Sequence, residues 1–218
     1  ILAKNPFFVL GANTRDDRRR IVQLADEISL QADHDHDLCQ KARSDLITPR
    51  TRLNAEMSWL PGVSPRRATS LVEKLASKPM SVRGENGLPA LAHCNLMAAA
   101  FESIDAQDLP EEIAEFIQEM ALRVDELDVY EILQTVNEDR AISGFPEVRG
   151  AEQVESELVE RKRYFKNSIK DTLNRLAPGT LIETMTLTVA IANSRGGDHA
   201  PELVDEIVDS YAVETQGF

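Results

Sequence analysis

Residues 14–28 read TRDDRRRIVQLADEI, and this stretch decides the fold class. Thr14 is followed three residues later by Asp17, an acidic variant of the capping box that begins an α-helix. Apolar residues then recur at the i, i+3, i+4 and i+7 spacing of one helix face, namely Ile21, Leu24, Ala25 and Ile28. The stretch therefore predicts an amphipathic helix that is capped by Thr14 and buries one face.

The same helical spacing continues along almost the whole chain, interrupted by proline and glycine. Pro6 after Asn5 predicts a short first helix that ends at Gly11. Thr48-Pro49 and Ser64-Pro65 predict two further helix starts. Later helices are predicted at about 89–104, 109–124, 126–143, 151–176, 179–194 and 201–214. No alternating run of apolar and polar residues is long enough to predict a strand, and Thr184 to Thr188, which has some β-propensity, lies inside a predicted helix. We therefore predict an all-α, multi-helix bundle, with a strand at 184–188 as the less favoured alternative.

Composition narrows the classes of function. The chain has 218 residues, of which 42% are hydrophobic and 28% charged, as is usual for a globular protein. Its formal net charge is −13, so it lacks the basic field that a phosphate-facing surface needs. We therefore expect neither nucleic acid nor an anionic membrane as a broad partner. No apolar run reaches the ~18 residues of a transmembrane helix.

Charge is unevenly distributed between the two parts of the chain. Residues 1–70 hold 11 basic and 9 acidic side chains, whereas residues 71–218 hold 13 and 28. Residues 77–88 contain the densest cluster of helix breakers, with one proline and two glycines. We therefore predict a helical domain at 1–76, a linker at 77–88 and an acidic helical domain at 89–218.

Cysteine usage and phosphate-binding motifs bear on compartment and cofactors. Cys39 and Cys94 are too few for a disulfide framework and predict reduced thiols in a cytoplasmic protein. Because the first residue is Ile1, we expect the natural start to lie upstream. Gly196-Gly197 lacks the Lys-Ser/Thr of a phosphate loop, and no Cys-x-x-Cys is present. We expect no cofactor.

A basic cluster marks the start of the second predicted helix. Its members are Arg15, Arg18, Arg19 and Arg20. Basic side chains near a helix N-terminus oppose the helix dipole, which slightly favours a reason other than local stability. A docking surface for an acidic protein partner would explain these arginines, because complementary potentials steer association. A simple solvated helix face is the alternative.

A second cluster, at 33–37, alternates aspartate and histidine. His34, Asp35, His36 and Asp37 carry carboxylates and imidazoles, the usual ligands of zinc, iron or manganese. Adjacent residues in one loop seldom converge on an ion, and His93 and His199 lie far along the chain. We therefore predict a solvated loop without a bound metal, and a metal-dependent hydrolase remains the less favoured alternative.

Three short motifs near the start have the order found in a known helical module. The chain opens with Asn5-Pro-Phe-Phe-Val-Leu-Gly11, continues with Ala42-Arg-Ser-Asp-Leu46 and then has Thr48-Pro49-Arg50-Thr-Arg52-Leu53. The first is similar to the opening, and the last to the ending, of the J domain with which DnaJ-type co-chaperones engage DnaK-type ATPases. The resemblance covers residues 5–60 and implies an antiparallel helical hairpin at the N-terminus.

The resemblance also implies a function and a partner. In that family a His-Pro-Asp tripeptide between the second and third helices stimulates the ATPase. Here residues 33–37 occupy that place without a proline, so the chain resembles a degenerate J domain. We expect a non-enzymatic interaction protein that recruits or regulates a DnaK-type ATPase or another protein. The partner would contact the arginine cluster and His34 to Asp37. The alternative is a stand-alone helical scaffold that self-associates through apolar patches on its acidic region.

Overall fold

The computed structural model describes residues 2–30, 35–104, 108–194 and 200–215, and within these ranges every regular element is helical. The prediction of an all-α fold is therefore confirmed. Short 3-10 helices span Leu2–Lys4 and Pro79–Gly84. The α-helices are α1 (Pro6–Val9), α2 (Arg18–Ser29), α3 (His36–Ile47), α4 (Pro49–Met57), α5 (Pro65–Ser77), α6 (Ala90–Phe101), α7 (Pro110–Asp125), α8 (Val129–Ser143), α9 (Ala151–Leu173), α10 (Pro178–Ser194) and α11 (Glu202–Thr215).

Helix starts follow the local signals with one exception. Asn5 caps α1 by accepting a hydrogen bond from the Phe7 amide, and Gly11 follows with φ +57°. In α2 the cap is Asp17, whose carboxylate accepts from the Arg20 amide at 2.7 Å. The prediction that Thr14 caps this helix is wrong. Its hydroxyl donates instead to Asp139 Oδ2 at 2.7 Å, a long-range bond that fixes Thr14 before the helix begins.

Helices α2 and α3 lie side by side in opposite directions. Near the start of α2, Arg18 Nη2 donates to the Ile47 carbonyl at the end of α3 (3.0 Å). Further along α2, Asp26 pairs with Arg43, which lies earlier in α3 (3.6 Å). Between these two contacts the residue number rises along α2 and falls along α3, so the two helices form an antiparallel hairpin. Its J-like character stays a prediction.

Helix α6 occupies the centre of the bundle. It carries no Asp, Glu, Lys or Arg, and every residue from Leu91 to Phe101 is buried. The Phe101 ring stacks on Phe116 of α7, with centroids 4.1 Å apart. Polar side chains of α9 bind its backbone, since Ser168 donates to the Ala98 carbonyl at 2.8 Å and Thr172 to the Phe101 carbonyl at 2.7 Å. An uncharged helix of this kind is stable only when other helices surround it.

The segment predicted as a linker packs against this central helix. The 3-10 helix at Pro79–Gly84 buries Val82 completely, and His93 Nε2 lies 3.1 Å from the Val82 carbonyl. Arg83 forms two hydrogen bonds with the Glu119 carboxylate of α7, at 2.8 and 3.0 Å. Buried apolar residues from both predicted domains belong to one continuous core. The division at 77–88 stays a prediction about folding units.

Both cysteines are buried as free thiols. Burial raises the pKa of the Cys94 thiol to about 12, so this sulfur is not a nucleophile at neutral pH. Among the helices of the described ranges, none combines the length and the apolarity needed to cross a membrane.

Candidate protein-docking site

The hairpin displays part of the predicted arginine cluster. Arg18, Arg19 and Arg20 form the first turn of α2, and all three are exposed. Arg18 is held by its bond to the Ile47 carbonyl and by the ring of Phe145, whose centroid lies 5.9 Å away. Arg20 reaches Glu27 at 3.6 Å across solvent-exposed α2. Arg19 makes no ion pair or side-chain hydrogen bond with any described residue.

Arg15 belongs to a different environment. Its Nε donates to Asp139 Oδ1 at 2.8 Å, and its Nη2 lies 3.4 Å from the Gly62 carbonyl. The side chain is therefore half-buried against α8, apart from the exposed arginines. Its sequence position next to the cluster does not reveal this, because the partner lies more than a hundred residues away.

The aspartate–histidine cluster lies at the other end of the hairpin. Asp35 caps α3 by accepting from the amides of Asp37 (3.0 Å) and Leu38 (3.2 Å). His36 and Asp37 form the first turn of α3 and are exposed, while His34 is outside the described residues. Since α2 has 12 residues, it separates this end from the arginines by about 18 Å. The two predicted contact groups therefore form two surfaces.

Metal ligation has no support in the described part of the chain. No group of three His, Cys, Asp or Glu side chains converges there as an ion would require. Asp35 instead uses its carboxylate to satisfy backbone amides of α3.

A buried charge network that the sequence did not reveal supports the hairpin. Glu56 of α4 accepts from Arg52 Nε (2.7 Å) and from Arg140 Nε (2.8 Å). The Arg52 guanidinium lies 3.8 Å from the centroid of the Phe145 ring and 5.3 Å from that of Phe7. Burial lowers the pKa of Arg52, and the Glu56 carboxylate opposes that shift. The network, which we call the Arg52–Glu56–Arg140 triad, ties α4 to α8.

Further bonds from the triad reach the loops around the hairpin. Arg52 Nη2 donates to the Thr14 carbonyl at 2.7 Å, just before α2. Arg140 donates to the carbonyls of Pro49 (3.1 Å) and Pro146 (2.9 Å). These contacts fix the position of the start of α2, which carries the exposed arginines, relative to α4 and α8.

An apolar groove lies between α1 and α5. Phe7, Trp59, Ala68 and Val72 are among the side chains that line this space of about 310 Å³. Phe7 and Trp59 are buried, whereas Phe8 is 43% exposed. The Phe8 and Trp59 rings remain in contact, with centroids 6.4 Å apart.

No protein-family model, no curated protein and no solved structure matches this chain. What the chain does must therefore follow from the chemistry of its own side chains.

The buried histidine of α6 supports a prediction about pH. Burial lowers the pKa of His93, and the positive charge of Arg123 adds to this shift. Because the unfolded state then binds the proton more readily, the free energy of unfolding is expected to fall as the pH drops below about 6.5. Denaturant titrations at pH 7.5 and 5.5 measure this loss. His93→Gln should reduce it, whereas His36→Gln, at an exposed histidine, should leave it unchanged; equal losses in all three proteins would contradict the assignment.

Proposed function

We propose that this chain is a non-enzymatic interaction protein whose α2–α3 hairpin docks on an acidic surface of a protein partner. The J-like motifs of residues 5–60 make a DnaK-type ATPase the first partner to test. The observation that carries the proposal is the exposed arginine turn, Arg18 to Arg20, on the hairpin.

The placement of these arginines works against the stability of α2 itself. Three positive charges in the first turn face the positive end of the helix dipole and one another. The helix tolerates them because Ile21, Leu24 and Ala25 are buried and because Asp17 caps its start. A surface that is retained at a cost to local stability is typical of a binding site.

The surroundings of the arginines suit electrostatic docking. The whole chain has a net charge of −13, so a local group of positive charges stands out in its field. Arg18 is fixed by two contacts, whereas Arg19 extends into solvent and Arg20 has only an exposed partner. Arg18 therefore offers an acidic partner a preorganised charge, whereas the side chains of Arg19 and Arg20 would become ordered on binding.

Charge reversal tests the proposal. The double variant Arg19→Glu/Arg20→Glu is expected to weaken binding to a purified DnaK-type ATPase by roughly a hundredfold, because like charges would then meet across the interface. Isothermal titration measures affinity, and a single-turnover assay reads any stimulation of ATP hydrolysis. Binding by the parent should also weaken as salt increases.

A control at a single site separates docking from a general charge effect; it is compared with Arg19→Glu alone, because each of these two variants changes the net charge by two. Arg163→Glu reverses an exposed arginine on α9 whose only ion pair in the described chain is with neighbouring Glu160. It should bind as the parent does. Absence of binding by the parent, or equal weakening by both variants, would overturn the proposal.

A further inference from the structure

Aromatic rings line the groove between α1 and α5. Phe7 and Trp59 stack with their ring centroids 6.4 Å apart, and the Phe8 ring meets Trp59 at the same distance with a tilt of 59°. Ala68 and Val72 of α5 line the groove as well, and their small or branched side chains leave space beside the rings. The resulting volume of about 310 Å³ lies at the lower end of the range of ligand pockets, which is about 300–1,000 Å³.

Trp59 contributes an unused hydrogen-bond donor to this groove. The residue is 5% exposed, and a tryptophan so deeply buried usually finds an acceptor for its indole N–H. No described residue accepts a hydrogen bond from this N–H, and the Nε1 atom is still in contact with solvent. Because Trp59 lines the groove, the groove is where a ligand can reach this donor.

The other polar side chains of the groove separate into bound and free groups. The Asn13 amide donates to Asp16 at 2.7 Å, and the Thr69 hydroxyl donates to the Pro65 carbonyl at 3.2 Å. The carboxylate of Glu73, by contrast, is exposed and forms no ion pair or hydrogen bond with any described residue. The groove therefore offers a ligand one N–H donor and one carboxylate beside apolar walls.

We propose that this groove binds a proline-rich segment of another protein, with a basic residue at one end of the segment. The Trp59 N–H needs a carbonyl that is not already hydrogen-bonded, and a polyproline II segment has no internal hydrogen bonds. Helices and paired strands, by contrast, use their carbonyls within their own structure. Proline-rich segments also dock in aromatic-lined grooves, because the stiff chain loses little conformational entropy on binding.

Charge complementarity places the basic residue on the partner. Glu73 is the one ionisable side chain among the described residues that line the groove, so an arginine or lysine of the bound segment would meet an unpaired carboxylate. The net charge of −13 adds to the attraction of a basic segment. The same charge makes a second copy of this chain a poorer occupant, because two acidic copies repel one another.

The size of the groove sets the strength of the interaction. A space of about 310 Å³ holds only a few residues of a peptide. Since small ligands gain a limited free energy per atom, we expect a dissociation constant on the order of 100 μM. An affinity of this kind suits a contact that forms and dissociates quickly.

Fluorescence anisotropy of labelled peptides, titrated with the full chain, tests this surface. The probes are fluorescein-labelled peptides of prolines and leucines, with one arginine at the first or at the last position. At least one of them should bind, and replacing its arginine with glutamate should weaken binding about tenfold at low salt. Trp59 is the one tryptophan of the chain, so its emission should move to shorter wavelength when the unlabelled peptide displaces water from the indole.

Two variants locate the peptide in the groove. Trp59→Phe keeps an aromatic ring but removes the N–H, and it should weaken binding about fivefold without loss of helical circular dichroism. Glu73→Gln should weaken binding about threefold at low salt and reduce the preference for arginine over glutamate. The control is Glu155→Gln on α9, which removes an exposed carboxylate that has no ion pair in the described chain. It should bind as the parent does.

Three results would overturn the proposal. One is the failure of both arginine peptides to bind at about 1 mM. Another is stronger binding of an amphipathic leucine–lysine helix of equal length, and the third is an equal effect of Glu73→Gln and Glu155→Gln. Because these variants leave Arg18 to Arg20 of α2 intact, failure here is distinct from failure of docking on an acidic partner.

Discussion

Replacing Glu56 with glutamine is expected to lower the free energy of unfolding by about 3–5 kcal/mol, a large part of the stability of a typical domain. Glu56 is buried and accepts from the guanidinium groups of both Arg52 and Arg140. The amide of glutamine keeps the shape but removes the negative charge and turns an N–H₂ group toward a donor. Two positive charges would then stay buried without an opposite charge, which costs far more than the loss of a surface pair.

Chemical denaturation of parent and variant measures this loss. Glu160→Gln is the matched control, because Glu160 pairs with Arg163 on the exposed surface of α9, and its effect should stay within about 0.5 kcal/mol. The combined variant Arg52→Met/Glu56→Leu/Arg140→Met should recover part of the lost stability, since no charge then remains to be desolvated but the carbonyls of Thr14, Pro49 and Pro146 lose their donors. A Glu56→Gln protein as stable as the Glu160→Gln protein would contradict the assigned role of the triad.

Local sequence signals were enough to place most helices. Proline at the first helical position and glycine after the last are short-range features, and the elements that begin at Pro6, Pro49 and Pro65 follow them. The apolar stripe of α2 is equally local, and Ile21, Leu24 and Ala25 are buried as predicted. These features depend on neighbours within one or two turns, so a single sequence contains the information.

The ion pairs and hydrogen bonds between distant helices could not be predicted from the sequence. Nothing in the sequence near Arg52 shows that its guanidinium lies between the rings of Phe7 and Phe145. Thr14 has the sequence features of a helix cap, yet its hydroxyl donates a hydrogen bond to Asp139. In each case the deciding partner comes from a distant helix, and one sequence does not record which distant residues meet.

The candidate docking site was only partly predictable for the same reason. Arg18 to Arg20 are exposed where the pattern places them, but Arg15 is bound to Asp139. The length of α2 shows that its two ends cannot form one patch, and that arithmetic needs only the predicted helix.

The Asp139→Ala variant, which removes the carboxylate, is expected to lower the free energy of unfolding by about 3 kcal/mol. It should destabilise the N-terminal helices and α8 together. This buried carboxylate accepts from the Thr14 hydroxyl (2.7 Å), Arg15 Nε (2.8 Å) and the Gly62 amide (2.8 Å). Alanine would leave all three donors without their acceptor. The neighbouring Glu138→Ala, on the exposed side of α8, is the control and should change stability by less than about 0.5 kcal/mol.

The readout of this variant also tests how far the two predicted domains depend on one another. Trp59 is the one tryptophan of the chain, so its fluorescence reports on the N-terminal helices, whereas far-ultraviolet circular dichroism reports on all helices. Asp139 of α8 binds Thr14, which precedes α2, and Gly62, which follows α4. The unfolding midpoints of both signals should therefore move to lower denaturant concentration by the same amount. A shift in circular dichroism with unchanged tryptophan fluorescence would show that the N-terminal helices are stable without α8, and would contradict this role of Asp139.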